Sequence, residues 1–299
     1  MANATGNFPE LLWPGLRELW GMNYARYPAI YKGLIEVIKS DKAFEKFQGL
    51  TGLGLAGVKD EGASLAYFDM LQGYQKEAVN VTYGLGTIIT REMFEDEQYN
   101  YINKVPAMLA ESMRQTEEIV ATLPFNNGFG ALATGADGVS YFNTSHPLIG
   151  GGGTFRNMPA TAVDLSQAAL EQADIDLMSY TDERGLKIRV SSKVLLVAPT
   201  NKYVAEKILG TKAEVGSNDN TINPVYQSRK LVVNPYLTDP DAWFLKTDVN
   251  TTGIVFVRRR AAEVMRDNEF DTQNLKIANT SRFTVTQVDP REWWGAAGA

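Results

Sequence analysis

Residues 137–157 read DGVSYFNTSHPLIGGGGTFRN and hold the single histidine of the chain, His146, beside a run of four glycines. A histidine that follows a serine next to a glycine-rich loop is a pattern in which catalysis is considered first. Ser145 and His146 are adjacent, so on a strand their side chains point to opposite faces. A serine nucleophile needs its base within hydrogen-bond reach and a third group to orient that base. We therefore interpret the segment as structural.

The glycine run at 150–153 does not have the pattern of a phosphate loop. Such a loop places glycines at fixed offsets and continues with Lys-Ser/Thr at the start of a helix. Here the glycines are followed by TFRN at 154–157. The segment predicts a hairpin or connector, and we expect no cofactor.

Composition excludes several kinds of site. The 299 residues include no cysteine, which rules out disulfides, thiolate metal sites and cysteine nucleophiles. A single histidine argues against a multi-histidine zinc site, so no metal is expected. The start, MANATGNFPE, lacks the basic and apolar regions of a secretory signal. No apolar run approaches the ~20 residues that span a bilayer, so no membrane contact is expected.

The charge pattern does not predict specific nucleic-acid binding. The net charge is −6, whereas proteins that neutralise phosphates need clustered Lys and Arg. The only compact basic run is Arg258-Arg259-Arg260, directly after the apolar residues 254–257. We expect this run to be the solvated end of a strand rather than a phosphate site.

The first forty residues predict an arm followed by a helix. Aromatic residues and the prolines Pro9 and Pro14 share the first twenty positions, which indicates little regular structure. Such an arm packs either on another subunit or on its own domain. Residues 27–39 predict a short helix after Pro28.

A long two-stranded ribbon is predicted from the glycine-rich composition of residues 48–86. Val79, Val81 and Tyr83 alternate with polar residues, which is the period-two pattern of a strand. The sequence KDEG at 59–62 is a turn signal, so we place the tip of the ribbon near residues 59–63. A ribbon of this kind is rarely stable alone in water and needs a partner surface.

These extended apolar segments are expected to pack on neighbouring copies of the chain, because segments that reach onto neighbours give oligomers large interfaces. The predicted intersubunit contacts are Phe8, Trp13, Trp20, Leu53, Leu55, Lys59, Tyr67 and Phe68.

The remaining pattern is that of an α+β chain. Apolar residues at three-to-four spacing over 91–123, such as Leu109 and Val120, predict one long helix that ends before Pro124 and bends near Pro106. A second helix is predicted over residues 165–180. A strand and a helix ending at Gly210 follow over 193–210, and further strands are predicted at 230–233, 243–246, 254–257 and 282–288.

Four segments, in this order, resemble the major capsid (major head) proteins of tailed bacteriophages with the HK97-like fold, in particular the Mu-like major head subunits. They are TYGLGTIITREMFEDEQYN (82–100), GVSYFNTSHPLIGGGGTFRN (138–157), LSQAALEQADIDLMSYTDERGLKIRVSSKVLLVAPTNKYVAEKIL (165–209) and SRFTVTQVDPREWWG (281–295). Their specificity lies in their order, because none is a catalytic fingerprint.

The resemblance implies a division of the chain into the parts of that fold. These are an N-terminal arm (1–45), an extended loop (46–84), a peripheral domain with a spine helix (85–192), an axial domain (193–262), and a return to the peripheral domain with a C-terminal tail (263–299).

The resemblance also implies a function. Such proteins self-assemble as pentamers and hexamers into an icosahedral virion shell around double-stranded DNA, which they contact non-specifically. Scaffold, portal and decoration proteins are the implied partners, with assembly in the host cytoplasm and no enzymatic activity. Two alternatives stay open: an encapsulin-like compartment shell, and a serine hydrolase that uses Ser145 and His146.

Overall fold

A computed structural model of the chain describes residues 9–26, 28–62, 64–65, 67–96, 104–149, 153–213, 221–269, 271 and 273–299, with the backbone alone at 9–14, 94 and 95. The α-helices of these residues are α1 (Pro9–Arg26), α2 (Arg91–Glu95), α3 (Val105–Asn126), α4 (Gln167–Met178) and α5 (Lys202–Gly210). The strands are β1 (Glu36–Lys39), β2 (Phe44–Leu50), β3 (Gln72–Val79), β4 (Val81–Ile89), β5 (His146–Pro147), β6 (Thr154–Phe155), β7 (Ser192–Val197), β8 (Lys230–Val233), β9 (Trp243–Thr247), β10 (Ile254–Asn268), β11 (Leu275–Gln287) and β12 (Trp293–Ala296). Short 3₁₀ turns lie at Tyr31–Gly33, Pro199–Asn201 and Pro290–Glu292.

One long sheet supports the spine of the molecule. Its strand order is β1-β10-β11-β4, with β1 parallel to β10 and the other pairs antiparallel. The helix α3 packs on this sheet, where Leu109 and Ala110 meet Ile89 and Ile277 in one buried cluster. Burial of this apolar face holds the helix to the sheet.

A second sheet, in the order β12-β9-β7-β8, carries helices α4 and α5. Trp243 and Trp294 are buried at its centre, with ring centroids 4.9 Å apart. The predicted strand and the predicted helix ending at Gly210 are confirmed here, and the 3₁₀ turn Pro199–Asn201 lies between them. The start of α4 follows from Ser166, whose hydroxyl accepts a hydrogen bond from the amide of Ala169 at 3.1 Å.

Aromatic side chains join the two sheets. Phe125, near the end of α3, lies 4.7 Å from Trp293 and 5.2 Å from Phe244, measured between ring centroids, and both contacts are edge-on. Edge-on aromatic pairs add to the burial of their surfaces. The end of α3 is therefore fixed against strands of the second sheet.

The expectations for the N-terminal region were wrong in two respects. Residues 9–26 form helix α1, although little regular structure was expected, and α1 packs against α3. The helix predicted over 27–39 is absent from the described residues, where a 3₁₀ turn and strand β1 stand instead. Pairing of β1 with the distant β10 decides its conformation, and a local pattern does not show such a partner.

The long helix also differs from its predicted limits. It begins at Val105, with Pro106 in the first turn, and runs through Pro124. Proline is favoured at the start of a helix, where its missing N–H would have no partner, so Pro106 marks a beginning and not a bend. Residues 91–95 form the separate helix α2, which begins at Thr90, whose hydroxyl accepts from the Met93 amide at 3.3 Å.

The basic run was interpreted as the solvated end of a strand, and this is wrong. Strand β10 continues through Arg258, Arg259 and Arg260 to Asn268. The guanidinium of Arg258 is mostly buried and lies 3.1 Å from the carboxylate of Glu117 on α3. The arginine therefore pairs with an acid that the sequence places far away.

Two strands lie across borders of the predicted domain division. Strand β4 (81–89) crosses the border between the extended loop and the peripheral domain, and β10 (254–268) crosses the end of the axial domain. The division itself stays a prediction. Among the described residues, no helix is both long and apolar enough to cross a bilayer.

Candidate assembly interface

A projecting ribbon carries much of the exposed apolar surface of the described chain. Its base is the antiparallel pair β2 and β3, in which Phe44 faces Val79 and Gln48 faces Gln75. Beyond the base the two arms continue without regular pairing to a turn at residues 61–62, and Gly62 has a φ of +81° there. The turn thus lies where the sequence predicted the tip, but the predicted ribbon extended too far, because residues 81–86 belong to β4 and pair with β11 in the long sheet.

The predicted contact residues of the ribbon are exposed. Leu53 is 58% exposed, Leu55 73%, Tyr67 89% and Phe68 47%, and Lys59 is exposed near the tip. The structure adds exposed apolar residues that were not selected: Leu50, Val58, Leu65, Met70 and Leu71. The sequence indicated these residues only through the number of apolar side chains in the segment, which is larger than one ribbon can bury by itself.

The predicted contacts in the arm have different outcomes. Phe8 lies outside the described residues, and Trp13 lies in α1, where the structure describes the backbone alone. Trp20 is only 8% exposed and stacks on Tyr24, with ring centroids 5.0 Å apart, inside the subunit's own core. Little of the Trp20 side chain therefore remains for a neighbouring subunit to contact. For all three residues, intersubunit contact stays a prediction.

The base of the ribbon is fixed by a close crossing of its two strands. A Cβ atom on Gly73 would lie 2.5 Å from the carbonyl carbon of Gly49, a distance that real Cβ contacts do not reach. The pairing also shifts register between Gln48 and Leu50 at this point. Glycine at position 73 is therefore required for the backbones to approach each other.

Hydrogen bonds between the ribbon and the rest of the subunit hold the ribbon in place. The guanidinium of Arg184 donates to the carbonyl of Gly52 at 2.6 Å and to that of Asp69, so it bridges the two arms. Lys76 on β3 donates to the carbonyl of Thr134 at 2.9 Å. Sequence reasoning missed Arg184 because more than a hundred residues separate it from both acceptors, and no local pattern marks such a contact.

His146 lies at the centre of a buried hydrogen-bond cluster. It is 0% exposed; its Nδ1 is 2.5 Å from Asp137 Oδ2, and its Nε2 is 3.0 Å from Asn157 Oδ1. The amide of Asn157 has a defined orientation, because its Nδ2 donates to three backbone carbonyls, those of residues 141, 290 and 293, at 2.8–3.1 Å. Since Asn157 presents its oxygen to the imidazole, the Nε2 of His146 must donate.

The serine–histidine pair of a hydrolase is not assembled. Ser145 is exposed and its amide donates to Asn143 Oδ1 at 2.9 Å, whereas His146 is buried and both its ring nitrogens have partners. A general base needs a nitrogen free to accept the serine proton. Across the described ranges, no cluster of three or more His, Asp or Glu side chains is arranged to hold a metal ion.

The segment that holds His146 is a small hairpin. Strands β5 and β6 pair, with His146 opposite Phe155, and their rings stack with centroids 4.9 Å apart. The amide of Leu148 donates to the carbonyl of Gly153 at 3.2 Å. The expectation of a hairpin at the glycine run is confirmed for the residues on either side of it.

We expect His146→Ala to lower the free energy of unfolding by about 2–4 kcal/mol, because it removes the partner of the buried Asp137 Oδ2 and leaves Asn157 Oδ1 with the Asn143 amide as its remaining donor. The matched change of its neighbour, Ser145→Ala, is expected to alter that free energy by less than about 0.5 kcal/mol, since Ser145 is exposed. Urea unfolding of the unassembled subunit measures both. Equal effects of the two changes would contradict the structural role of His146.

Comparison with known proteins agrees with an assembly role for these features. A family profile described as "Phage capsid protein" matches residues 74–296. Among curated proteins, no relative is found.

Solved structures with the same fold cover nearly the whole chain. A chain of Microbacterium phage Oxtober96 is 11% identical, with a TM-score of 0.57 over 90% of both chains. The procapsid of bacteriophage JBD30 gives 13% identity and a TM-score of 0.55, over 98% of this chain and 76% of that chain. A virus-like particle from Pyrococcus furiosus gives 9% identity and a TM-score of 0.55, over 95% and 98%. At these identities the likeness concerns the fold.

The α+β, HK97-like architecture expected from the sequence is thereby confirmed. The profile match begins within β3 in the base of the ribbon and extends through β12, so it includes α3, the second sheet and every strand of the long sheet except β1. The chain belongs to the phage capsid protein family.

Proposed function

We propose that this chain is the major head subunit that self-assembles as hexamers and pentamers into an icosahedral shell around double-stranded DNA. The observation that carries the proposal is the ribbon at residues 50–71, whose apolar side chains are exposed although it projects from a well-packed body. Membership of a family of capsid proteins supports the same role and implies a structural, non-enzymatic one.

The ribbon fits a second copy of the chain as its cover. An isolated two-stranded ribbon is at best marginally stable in water, and contiguous exposed apolar patches mark interaction sites. The ribbon is tied to its own subunit at the base and by Arg184, so its outer surface remains free for a neighbour. In a closed shell the ribbon of every subunit packs on a neighbour, and every subunit is contacted by the ribbon of another, so all ribbons are buried.

The proposal also assigns the parts of the chain and the partners of the subunit. The parts of the chain are the arm (1–45), the extended loop (46–84), the peripheral domain (85–192), the axial domain (193–262), and the return to the peripheral domain with the C-terminal tail (263–299). The subunit is of the Mu-like major head type. Scaffold and portal proteins assist assembly in the host cytoplasm, and packaged DNA is contacted non-specifically. A JBD30 capsid of this fold is decorated with minor capsid protein trimers, which supports a decoration partner here.

An encapsulin-like compartment shell is a second candidate. The fold is shared with a virus-like particle from Pyrococcus furiosus, so the fold alone does not separate the two candidates, whereas the phage capsid profile favours the head. Purified particles from the native source separate the two. A phage head holds double-stranded DNA, and a compartment shell holds a cargo enzyme.

We expect a ribbon-shortened variant to fold but not to close into shells. Residues 52–70 are removed and Thr51 is joined to Leu71 through Asn-Gly, because these two residues already pair: the Thr51 amide donates to the Leu71 carbonyl at 3.1 Å. Negative-stain microscopy and sedimentation measure assembly, and circular dichroism measures folding. Closed particles of normal size would contradict the proposal.

A full-length variant controls for the missing chain. Leu53→Ser, Leu55→Ser, Tyr67→Ser and Phe68→Ser together keep the ribbon's length and remove its apolar surface. We expect this variant to assemble as poorly as the shortened one. Leu132→Ser is the comparison, because Leu132 is 87% exposed yet lies outside the ribbon.

A further inference from the structure

Three arginines meet on the face of the long sheet opposite the spine helix. An open pocket of about 340 Å³ is lined by Thr82, Arg259, Arg260 and Arg282. Arg260 and Arg282 stand directly opposite each other on β10 and β11, and Thr82 faces Arg282 from β4. Like charges in such cross-strand positions destabilise a sheet unless an anion lies between them.

The arginines differ in their partners. Arg259 donates to Asp41 at 3.1 Å, and Arg260 lies 3.0 Å from Glu263. The guanidinium of Arg282 has neither a hydrogen bond nor an ion pair with any described residue, and its Nε is buried from solvent. A guanidinium presents five N–H donors and binds a carboxylate or phosphate through two of them at once. The pocket therefore lacks an oxyanion that would pair with the guanidinium of Arg282.

The oxyanion is better supplied by a protein than by DNA. A DNA backbone brings a row of phosphates, and it would meet the carboxylates of Asp41 and Glu263 beside the same pocket. A protein segment that presents one or two carboxylates to Arg282 meets less of that repulsion than a row of phosphates does. The chain itself has an excess of acids, with 35 Asp and Glu against 29 Lys and Arg, so a second copy can provide one.

The end of the ribbon carries such carboxylates. Asp60 and Glu61 are exposed at the turn closed by Gly62, and neither has a hydrogen bond or ion pair within the described part of the chain. From Thr51 the tip lies about ten residues away, which gives a reach of up to about 35 Å. Carboxylates at this position are carried farthest from their own subunit.

We propose that the arginine pocket of one subunit binds the acidic ribbon tip, Asp60 and Glu61, of a neighbouring copy, with Arg282 as the principal contact. This inference rests on the proposed function and specifies one contact within it. It also explains why strand β10 carries three successive arginines. A register shift between Arg258 and Arg260 lets Arg258 pair with Glu117 on the helix side while Arg260 turns to the pocket.

Charge reversal tests the contact. The tip variant is Asp60→Lys with Glu61→Lys, and the pocket variant is Arg282→Glu. The latter puts a carboxylate opposite Arg260, a pairing that favours the sheet, so the subunit is expected to stay folded. We expect each variant alone to lower the yield of closed shells at least tenfold, and all three changes in one chain to restore it. Arg282→Lys, which keeps the charge, is the matched control and should retain shells.

Mixing the two variants in equal amounts shows whether the contact joins separate copies. Each variant subunit has one native and one charge-reversed element. In a ring, opposite charges therefore meet at every contact only when tip-variant and pocket-variant subunits alternate. Alternation closes rings of six and not of five, so we expect hexamers without complete shells. Hexamers from the mixture support the proposal, and their absence overturns it.

Two further outcomes overturn it. In the first, the combined variant assembles no better than either single variant. In the second, Arg282→Glu shells close normally but bind less double-stranded DNA, which assigns the pocket to phosphate. In both cases wild-type shells still form, so the proposed function is unaffected. Wild-type protein that stays monomeric at all concentrations would instead contradict that function.

Discussion

Replacing Glu117 with Gln is expected to lower the free energy of unfolding of the subunit by about 3–5 kcal/mol, the usual cost of removing one partner from a buried ion pair. Glu117 is 0% exposed, and its carboxylate lies 3.1 Å from both Arg114 and Arg258. It also accepts hydrogen bonds from the hydroxyls of Tyr24 and Tyr31 at 2.7 and 3.0 Å. One carboxylate thus joins α1, the turn at Tyr31–Gly33, α3 and β10.

The chemistry of the two tyrosines fits this arrangement. Burial and the neighbouring Glu117 carboxylate raise the pKa of Tyr24 to about 12, so its hydroxyl remains a donor at neutral pH. Burial and the same carboxylate also raise the pKa of Tyr31. In the Gln variant, two largely buried guanidinium groups lose the carboxylate that pairs with both of them, and that is why the effect is large.

Glu111→Gln is the matched control, because Glu111 is exposed on the same helix. It should change the free energy of unfolding by less than about 0.5 kcal/mol. Urea titration of unassembled subunits measures both variants, since assembly would add to the apparent stability of each. A cost below about 1 kcal/mol for Glu117→Gln would show that water reaches the ion pairs and replaces them.

Asn157→Asp is expected to cost at least about 3 kcal/mol, although it changes one atom group and almost no volume. Asn157 is 0% exposed, and its Nδ2 donates to the carbonyls of Tyr141, Pro290 and Trp293. A carboxylate presents oxygen to these three oxygens, so the donor is lost and repulsion replaces it. Residue 157 would then lose its hydrogen bonds to residue 141 and to the chain at 290–293, and these parts of the chain would separate.

Asn201→Asp provides the comparison. The Asn201 amide also donates to two carbonyls, those of Pro240 and Asp241 at 3.2 and 3.3 Å, but at the surface where water can substitute. We expect a cost below about 1 kcal/mol there. The difference between the two variants isolates burial as the cause, and similar costs would contradict the role given to Asn157.

Local patterns in the sequence were enough for some elements. The turn signal at 59–62 predicted the tip of the ribbon, and the alternation at Val79 to Tyr83 predicted extended strands, although Val81 and Tyr83 lie in β4 of the long sheet. The helix predicted over 165–180 is found as α4. In each case neighbouring residues determine the structure. Helix α1 was missed because its start contains two prolines and its apolar residues follow no clear face, so packing on α3 decides it.

The partners of the singled-out residues could not be predicted in the same way. Arg258 pairs with Glu117 across 141 positions of sequence (258 − 117), and Arg184 reaches Gly52 across 132. The adjacency of His146 to Ser145 favoured a structural interpretation, but nothing local indicated Asn157 as the partner of His146. Tertiary contacts of this kind depend on the completed topology, which a single sequence does not display.

The order of strands in the long sheet has a consequence for biosynthesis. Strand β4 ends at Ile89, but its partner β11 ends at Gln287, so almost two hundred residues must be translated before the pair can form. At ribosomal speeds of about 5–20 residues per second, this takes about 10–40 s. During that time the apolar face of α3 lacks the strands β10 and β11 that cover it, so we expect this face to stay exposed in the nascent chain. The ribbon cannot be displayed on a finished subunit until the last strands emerge, which delays association until each chain is complete.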